Sequence, residues 1–263
     1  MSHQGFEVEI TPEQVAFFHD NGYLVLDRLV EEEEINWMRE VYDRIFDARA
    51  GRDVGDQFDL AGTDEEGQEA KLPQILAPSK YAPELLNGRF RHNVERVAKA
   101  LLGPEASLGG DHAILKPAKI GAATPWHQDE AYWDPDYDYL SFSAWIPLQE
   151  ATIENGCMWF IPGSHRMEVV PHHSIGHDPR VHGLEAEDID TSTAVACPIP
   201  AGGATFHYSR TLHYTGPNLS DGPRRAYILG AGAPGKKRET PRRFPWNEIK
   251  QTAREERSRA ARS

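Results

Sequence analysis

The sequence predicts an α+β fold that is mainly β, with helices leading and a β-barrel or jelly roll following. Three observations carry this. Helical periodicity is confined to the first hundred residues. From Gly103 onward the apolar residues fall in short runs bounded by glycine and proline. The 22 glycines and 19 prolines supply the turns that many short strands need. With no internal repeat and no interdomain linker, the 263 residues read as one domain. It comprises a mostly helical flank (1–103), a jelly-roll core (104–235) and a basic C-terminal tail (236–263).

The elements follow in order. Thr11-Pro12-Glu13-Gln14 reads as an N-cap, a proline at the first helical position and a capping-box glutamine. That helix carries Val15, Phe17 and Phe18 and stops near Asn21-Gly22. YLVLDRLV (Tyr23–Val30) is a strand candidate. EEEEINWMREVYDRIFDARA then sets Ile35, Met38, Val41, Tyr42, Ile45 and Phe46 on one helical face, and its leading glutamates suit the positive N-terminus. Gly51–Ala70 is acidic and aperiodic, a loop with the composition of a mobile one. Tyr81–Gly103 is helical in its second half and ends at a C-cap glycine. HAILKPA, YLSFSAWIPLQEA, GCMWFIPGSH, STAVACPIPAGGATFHY, TLHYTGPN and RRAYILGAGA read as strands or strand ends.

Charge and composition exclude some classes of partner. The net charge of -13 is divided between a body (1–235) at -19 and a tail (236–263) with ten Lys/Arg against four Glu. So acidic a body repels a phosphate backbone, which argues against nucleic acid as a partner. The tail reads most simply as solvated; folding back on the acidic body is the alternative. No apolar run approaches the roughly 18 residues of a membrane span, so no membrane partner is expected. MSHQGFEVEI has no basic and apolar signal pattern. Cys157 and Cys197, the two cysteines, form no C-x-x-C. These features point to a reducing compartment, the cytoplasm.

The chemistry concentrates in TPWHQDEAYW (Thr124–Trp133). His127 and Asp129 stand at i and i+2, and in an extended segment they share a face. With a second histidine they make a two-histidine, one-carboxylate set, whose open positions suit non-haem Fe(II) oxygenases. Alone, H-x-D is a weak signal. His172, His173, His177 and His182 crowd PHHSIGHDPRVHG, which reads as loop surface or substrate contact. His207 and His213 lie in GGATFHYSRTLHYTGPN. His213 has the better context: a strand end, a Gly216-Pro217-Asn218 turn, and Arg224 on a returning strand, able to grip a carboxylate. Tyr132, Trp133 and Tyr137 follow the H-x-D where side chains line the substrate side. Met167–Asp190 reads as a lid with a polar rim. No H-E-x-x-H zinc motif occurs.

FFHDNGYLVLDRLV, WHQD, AWIPLQEATIENGCMWFIPGSHR, LHYTGPN and RRAY, in this order and spacing, resemble the phytanoyl-CoA dioxygenase family of Fe(II)- and 2-oxoglutarate-dependent oxygenases. The resemblance implies a double-stranded β-helix (jelly-roll, cupin-like) core with flanking N-terminal helices. It makes His127, Asp129 and His213 the iron ligands, with 2-oxoglutarate and O2 as cosubstrates. Arg224 then holds the distal carboxylate of 2-oxoglutarate, helped by the Thr215 hydroxyl, and Trp145 lines the cosubstrate pocket. Gln74 and His112 align with two further cosubstrate contacts. From the strand pattern alone, Trp145 also reads as a core aromatic, and Arg225 as a competing clamp if the register slips. His207 reads as a histidine packed behind the ligands or in the core; His165 and Arg166 read as a turn cap. Related iron halogenases lack the carboxylate that Asp129 supplies, so the resemblance favours hydroxylation or another two-electron oxidation. The implied activity is oxidation of a C–H bond of a small organic metabolite, with release of succinate and CO2. An acyl-CoA hydroxylase, a non-catalytic jelly-roll binding protein and a zinc hydrolase on the same ligands are the alternatives.

Overall fold

The computed structural model describes residues 6–262. Helix α1 (Pro12–Asn21) begins with a reciprocal capping box between Thr11 and Gln14. Gly22 ends it at φ 84°, a left-handed conformation open to glycine. Strand β1 (Tyr23–Leu26) is shorter than the run read from the sequence, because the Leu29 and Val30 amides turn aside to bond Gly202 O. Helix α2 (Glu32–Asp47) buries Ile35, Met38, Val41, Tyr42 and Ile45.

The acidic stretch after α2 is not the open loop its composition predicts. It holds β2 (Gln57–Asp59), which pairs with β3 (Pro73–Leu76). The Asp59 carboxylate accepts from the amides of Ala61, Lys71 and Leu72, and Asp64 takes both Arg52 and Arg257. After the short α3 (Pro78–Tyr81), helix α4 (Arg89–Leu102) buries Phe90, Val94, Val97, Ala98 and Leu101 and stops at Gly103.

The remaining strands are β4 (Ser107–Lys116), β5 (Thr124–His127), β6 (Tyr137–Asp138), β7 (Ser141–Pro147), β8 (Met158–Phe160), β9 (His172–Ser174), β10 (Leu184–Ala186), β11 (Val195–Cys197), β12 (Ala204–Tyr208), β13 (His213–Thr215), β14 (Arg224–Gly232) and β15 (Lys236–Lys237). They form a seven-stranded sheet in the order β1-β12-β7-β14-β4-β3-β2 and a four-stranded sheet β11-β8-β13-β5. Two ribbons, β10-β9 and β15-β6, complete the set. Pairing is antiparallel throughout the described ladders. This is the jelly roll that the sequence predicts.

Strand alternation sorts the larger sheet into two faces. Ala113, Phe142, Ala144, Ile146, Phe206, Tyr227 and Leu229 face out and pack under α1, α2 and α4. Trp145 and Ala226 face in, toward Met158 and Phe160 of the smaller sheet. The functional groups lie between the sheets.

The tail departs from the solvated reading. Phe244 and Trp246, beside and within α5 (Pro245–Glu248), are buried against Ala131 and Leu184, and the Trp246 indole donates to Ala131 O at 2.9 Å. Helix α6 (Ala253–Ala260) opens on a Thr252–Glu255 capping box, and its Arg257 bonds Asp64 and Gln57 O. Two aromatics inside a charged stretch have no helical or strand period to announce them, yet burying them anchors the chain.

Phe206, fully buried and edge-to-face with Phe142 at 5.3 Å, tests the outer layer. Phe206→Ala is expected to cost about 3–5 kcal/mol in urea unfolding. Val195→Ala, at an exposed position of β11, is expected to stay within about 0.5 kcal/mol of the parent.

Candidate active site

β5 and β13 are neighbours in the smaller sheet, and His127 sits opposite His213 in their ladder. The two ring centroids are 4.1 Å apart. His127 Nδ1 bonds Pro125 O and His213 Nδ1 bonds Thr211 O, each at 2.8 Å. A carbonyl only accepts, so both protons sit on Nδ1 and both Nε2 lone pairs face the gap. Gln128 is extended (φ -116°, ψ 130°), which returns Asp129 to the His127 side although it already opens a 3₁₀ turn. Asp129 Oδ1 lies 3.7 Å from His127 Nε2 and 3.5 Å from His213 Nε2. Its other oxygen, Oδ2, accepts from Ser143 Oγ at 2.6 Å and lies 3.4 Å from His207 Nε2. Ser143 and His207 are themselves partners in the β7–β12 ladder.

The electrostatics prepare this cluster for a cation. Burial, reinforced by the neighbouring His213, lowers the His127 pKa to about 4, and burial with His207 lowers that of His213. Burial works against the Asp129 anion, but positive charge at the His213 and His207 positions holds the carboxyl well below its usual range, a role open to a bound cation where the imidazoles are neutral. At neutral pH the cluster is therefore two neutral imidazoles and one carboxylate, with no proton to displace. The ligand atoms all lie within 4.8 Å of one another, close enough to share one metal ion.

The cluster opens into a cavity of about 1090 Å³ between the sheets. Arg224 lines it and is only 2% exposed, with its guanidinium carbon 5.3 Å from the Trp145 ring centroid. Its Nε and Nη1 are buried without an acceptor among the described residues. Burial lowers its pKa to about 10, so it stays a cation at neutral pH. Lys116, a buried lysine nearby whose pKa burial and Arg224 lower well below the ordinary value, already donates to Thr215 O at 3.2 Å and Gly216 O at 2.5 Å. Arg225 points the other way and forms a two-pronged pair with Asp43. Arg224 is thus the one of the three whose buried nitrogens lack an acceptor, and it shares the cavity with the His–Asp–His cluster. Thr215 Oγ1, bonded to Thr124 Oγ1 at 3.0 Å, lines the same cavity.

Ladder register arranges the cavity floor. Trp145, Ile228, His112 and Leu76 cross the larger sheet in one row, and Ala226, Ile114 and Gln74 in the next. Gln74 and His112 both reach the cavity. Trp145 is at once a core aromatic and a cavity wall, so its two readings are compatible. Tyr132 and Trp133 line the cavity, but Tyr137 does not, which corrects the sequence reading. Tyr137 is drawn off into the β6–β15 ribbon opposite Lys237.

Trp126 and Gln128 face away as packing. Trp126 stacks on Tyr214 at 5.4 Å, and Gln128 bonds Arg210 O and the Val170 amide. Of the histidines in the Met167–Asp190 stretch, His182 lines the cavity. His172 accepts from the Gln128 amide, and His173 stacks on His177. His165 bonds His19 O at the end of α1, as a cap.

Sequence reasoning missed Ser143 and the wall built by Phe244, Asn247, Lys250 and Arg254. For Ser143 the signal was present: it lies two residues before Trp145 on the same strand and so on the same face. Ser143→Ala is expected to weaken Co(II) or Mn(II) binding by about 10–100-fold, and Asp129→Asn to abolish it, by anaerobic calorimetry. Equal affinity in all three proteins would remove the cluster from consideration as a metal centre.

The family model described as phytanoyl-CoA dioxygenase (PhyH) matches residues 18–226. A phytanoyl-CoA dioxygenase of Arabidopsis thaliana is 26% identical over 256 residues, spanning 86% of this chain and 89% of that protein. The crystal structure of EvdO2 from Micromonospora carbonacea var. aurantiaca shares 43% identity at a TM-score of 0.79, over 92% of this chain and 99% of EvdO2. The EvdO2 structure with 2-oxoglutarate bound matches at 40% identity and a TM-score of 0.78, over the same 92% and 99%. The chain belongs to the phytanoyl-CoA dioxygenase (PhyH) family and is an Fe(II)- and 2-oxoglutarate-dependent oxygenase.

Proposed function

We propose that the protein hydroxylates, or otherwise oxidises, an unactivated C–H bond of a small organic metabolite, with 2-oxoglutarate converted to succinate and CO2. His127, Asp129 and His213 hold the iron. Arg224 takes the distal carboxylate of 2-oxoglutarate, assisted by the Thr215 hydroxyl, while Trp145, Gln74 and His112 wall the cosubstrate. The bound iron and 2-oxoglutarate supply O2 activation. The protein supplies ligand geometry, a water-poor cavity and the position of the target bond.

One observation carries this reading: a buried cation, unpaired among the described residues, lines the same cavity as the His–Asp–His cluster. A zinc hydrolase on the same ligands has no use for Arg224, and a binding scaffold has no use for open coordination positions. Ser143 holds Asp129 Oδ2, so Asp129 would offer Oδ1 to the metal. The presence of this carboxylate favours oxidation over halogenation. The acidic body makes polyanionic CoA a poorer substrate than a small metabolite. Free thiols at Cys157 and Cys197, both buried, suit the reducing cytoplasm.

Arg224→Ala is expected to raise the KM for 2-oxoglutarate at least about 30-fold, the lower bound of the roughly 2–5 kcal/mol at stake in a buried charge pair. Co(II) binding should persist in that variant. An unchanged KM, followed as succinate release, would refute the assignment of Arg224.

A further inference from the structure

The mouth of the cavity carries a second group of cations that the cosubstrate does not use. The C-terminal segment crosses the mouth and brings Lys250 and Arg254 to its wall. Among the described residues Lys250 has no hydrogen-bond acceptor and no acidic partner within ion-pair distance. Its ammonium sits 4.8 Å from the centroid of the Tyr132 ring instead. Arg254 lies over Phe58, 5.1 Å from its centroid, and its Nε is buried without a partner. His182 stands between them, stacked on Tyr132 at 5.8 Å and edge-on to Phe58 at 4.9 Å, with an unpartnered buried Nδ1. Burial and the two cations hold the His182 pKa well below its ordinary value, so it is a neutral hydrogen-bonding group here.

The acids near this group are held by other partners, and one of them, Glu255, also lines the cavity and acts on both cations, leaving two positive charges against one negative at this wall. Glu255 reaches back to the Thr252 amide in the α6 capping box, and Asp56 accepts from Lys80 Nζ and Tyr81 Oη. By contrast four other cations of the tail are paired with acids: Arg238 with Asp138, Arg242 with Glu130, Arg243 with Glu248 and Arg257 with Asp64. Burial pulls the Lys250 pKa down to about 8, as expected of an ammonium with too little counter-charge.

The geometry points to an anion subsite formed by Lys250, Arg254 and His182, so that the organic substrate carries a carboxylate or phosphate group. This rests on the oxygenase reading and adds the substrate class. Position limits the substrate further. Tyr132 is 6.1 Å from the His127 ring and 4.8 Å from the Lys250 ammonium, so a single aromatic layer separates the anion from the metal ligands. These two distances keep the Lys250 ammonium within about 11 Å of the His127 ring, so the charged group and the carbon to be oxidised lie within the length of one small molecule. In an acyl-CoA the pantetheine arm places the phosphates much farther from the acyl carbons, so the subsite fits a short acid or phosphate ester instead.

Calorimetry on the full chain loaded with Mn(II) and saturating 2-oxoglutarate tests this directly, using inorganic phosphate, butyrate and the neutral butyramide as probes. Phosphate or butyrate is expected to bind, the tighter of the two naming the group, and butyramide is not. Lys250→Met and Arg254→Gln are each expected to weaken anion binding at least tenfold, while Lys99→Met, which removes an exposed cation paired with Glu95 and outside the cavity, leaves it unchanged. Circular dichroism confirms that each variant is folded. Binding of neither anion, equal binding of butyramide, or unchanged affinity in both folded variants overturns the subsite. Consumption of 2-oxoglutarate by the wild-type Fe(II) protein without organic substrate is measured in parallel. Turnover without anion binding sinks the subsite alone; anion binding without turnover or metal binding sinks the oxygenase reading alone.

Discussion

Asp129 carries its carboxylate into the gap between the two sheets, and each of its oxygens faces a different one. Oδ1 faces the imidazoles of His127 and His213 from the smaller sheet. Oδ2 is held by Ser143 and lies beside His207, both from the larger sheet. An unpaired carboxylate in this position would be costly, and the surrounding polar groups are what keep it ionised. The rest of the site is arranged around that constraint. β5 and β13 must be neighbours to bring the imidazoles together, and β7 and β12 must be neighbours to fix the other oxygen.

Glu130, the next residue, extends the constraint outward. Its side chain is fully buried and binds Arg210 and Arg242. Adjacent carboxylates thus have opposite duties: Asp129 faces the metal position, and Glu130 fastens the start of the C-terminal segment. Trp246 adds a bond to the carbonyl of Ala131, one residue further on. The segment that walls the cavity is consequently tied to the same short turn that supplies a metal ligand. At its far end, α6 is tied through Arg257 to Asp64 of the acidic stretch. Part of the tail's basic excess neutralises body acids, through Arg238, Arg242 and Arg257, and part lines the cavity without an acidic partner.

The cavity is cationic at both of the places that matter for ligands and anionic at its metal cluster. Lys116 shows that a buried amine in this fold can be satisfied by backbone carbonyls alone. Arg224 and Arg254 keep buried nitrogens that are not satisfied in that way. Leaving buried donors unpaired is destabilising, and such groups persist where a bound partner completes them. The outer helices supply compensating stability by covering the other face of the larger sheet with an apolar layer.

Local rules made much of this molecule legible from sequence. Capping chemistry marked α1; a 3.6-residue period marked α2; a two-residue period put His127 and Asp129 on one face and separated Arg224 from Arg225. Such patterns need only the geometry of one element, so they survive without knowledge of its neighbours. The family resemblance added the pairing of His213 with the H-x-D segment, which lies far away in sequence. What the tertiary structure decided is which surfaces meet. Ser143 joins the site because β7 lies beside β12, and Tyr137 leaves it because β6 pairs with β15. The acidic stretch and the basic tail, both without period, take their structure from distant partners: β3 for the first, Ala131 and Leu184 for the aromatics of the second. Arg257 and Asp64 join the two across nearly two hundred residues, and no local propensity encodes a contact of that range.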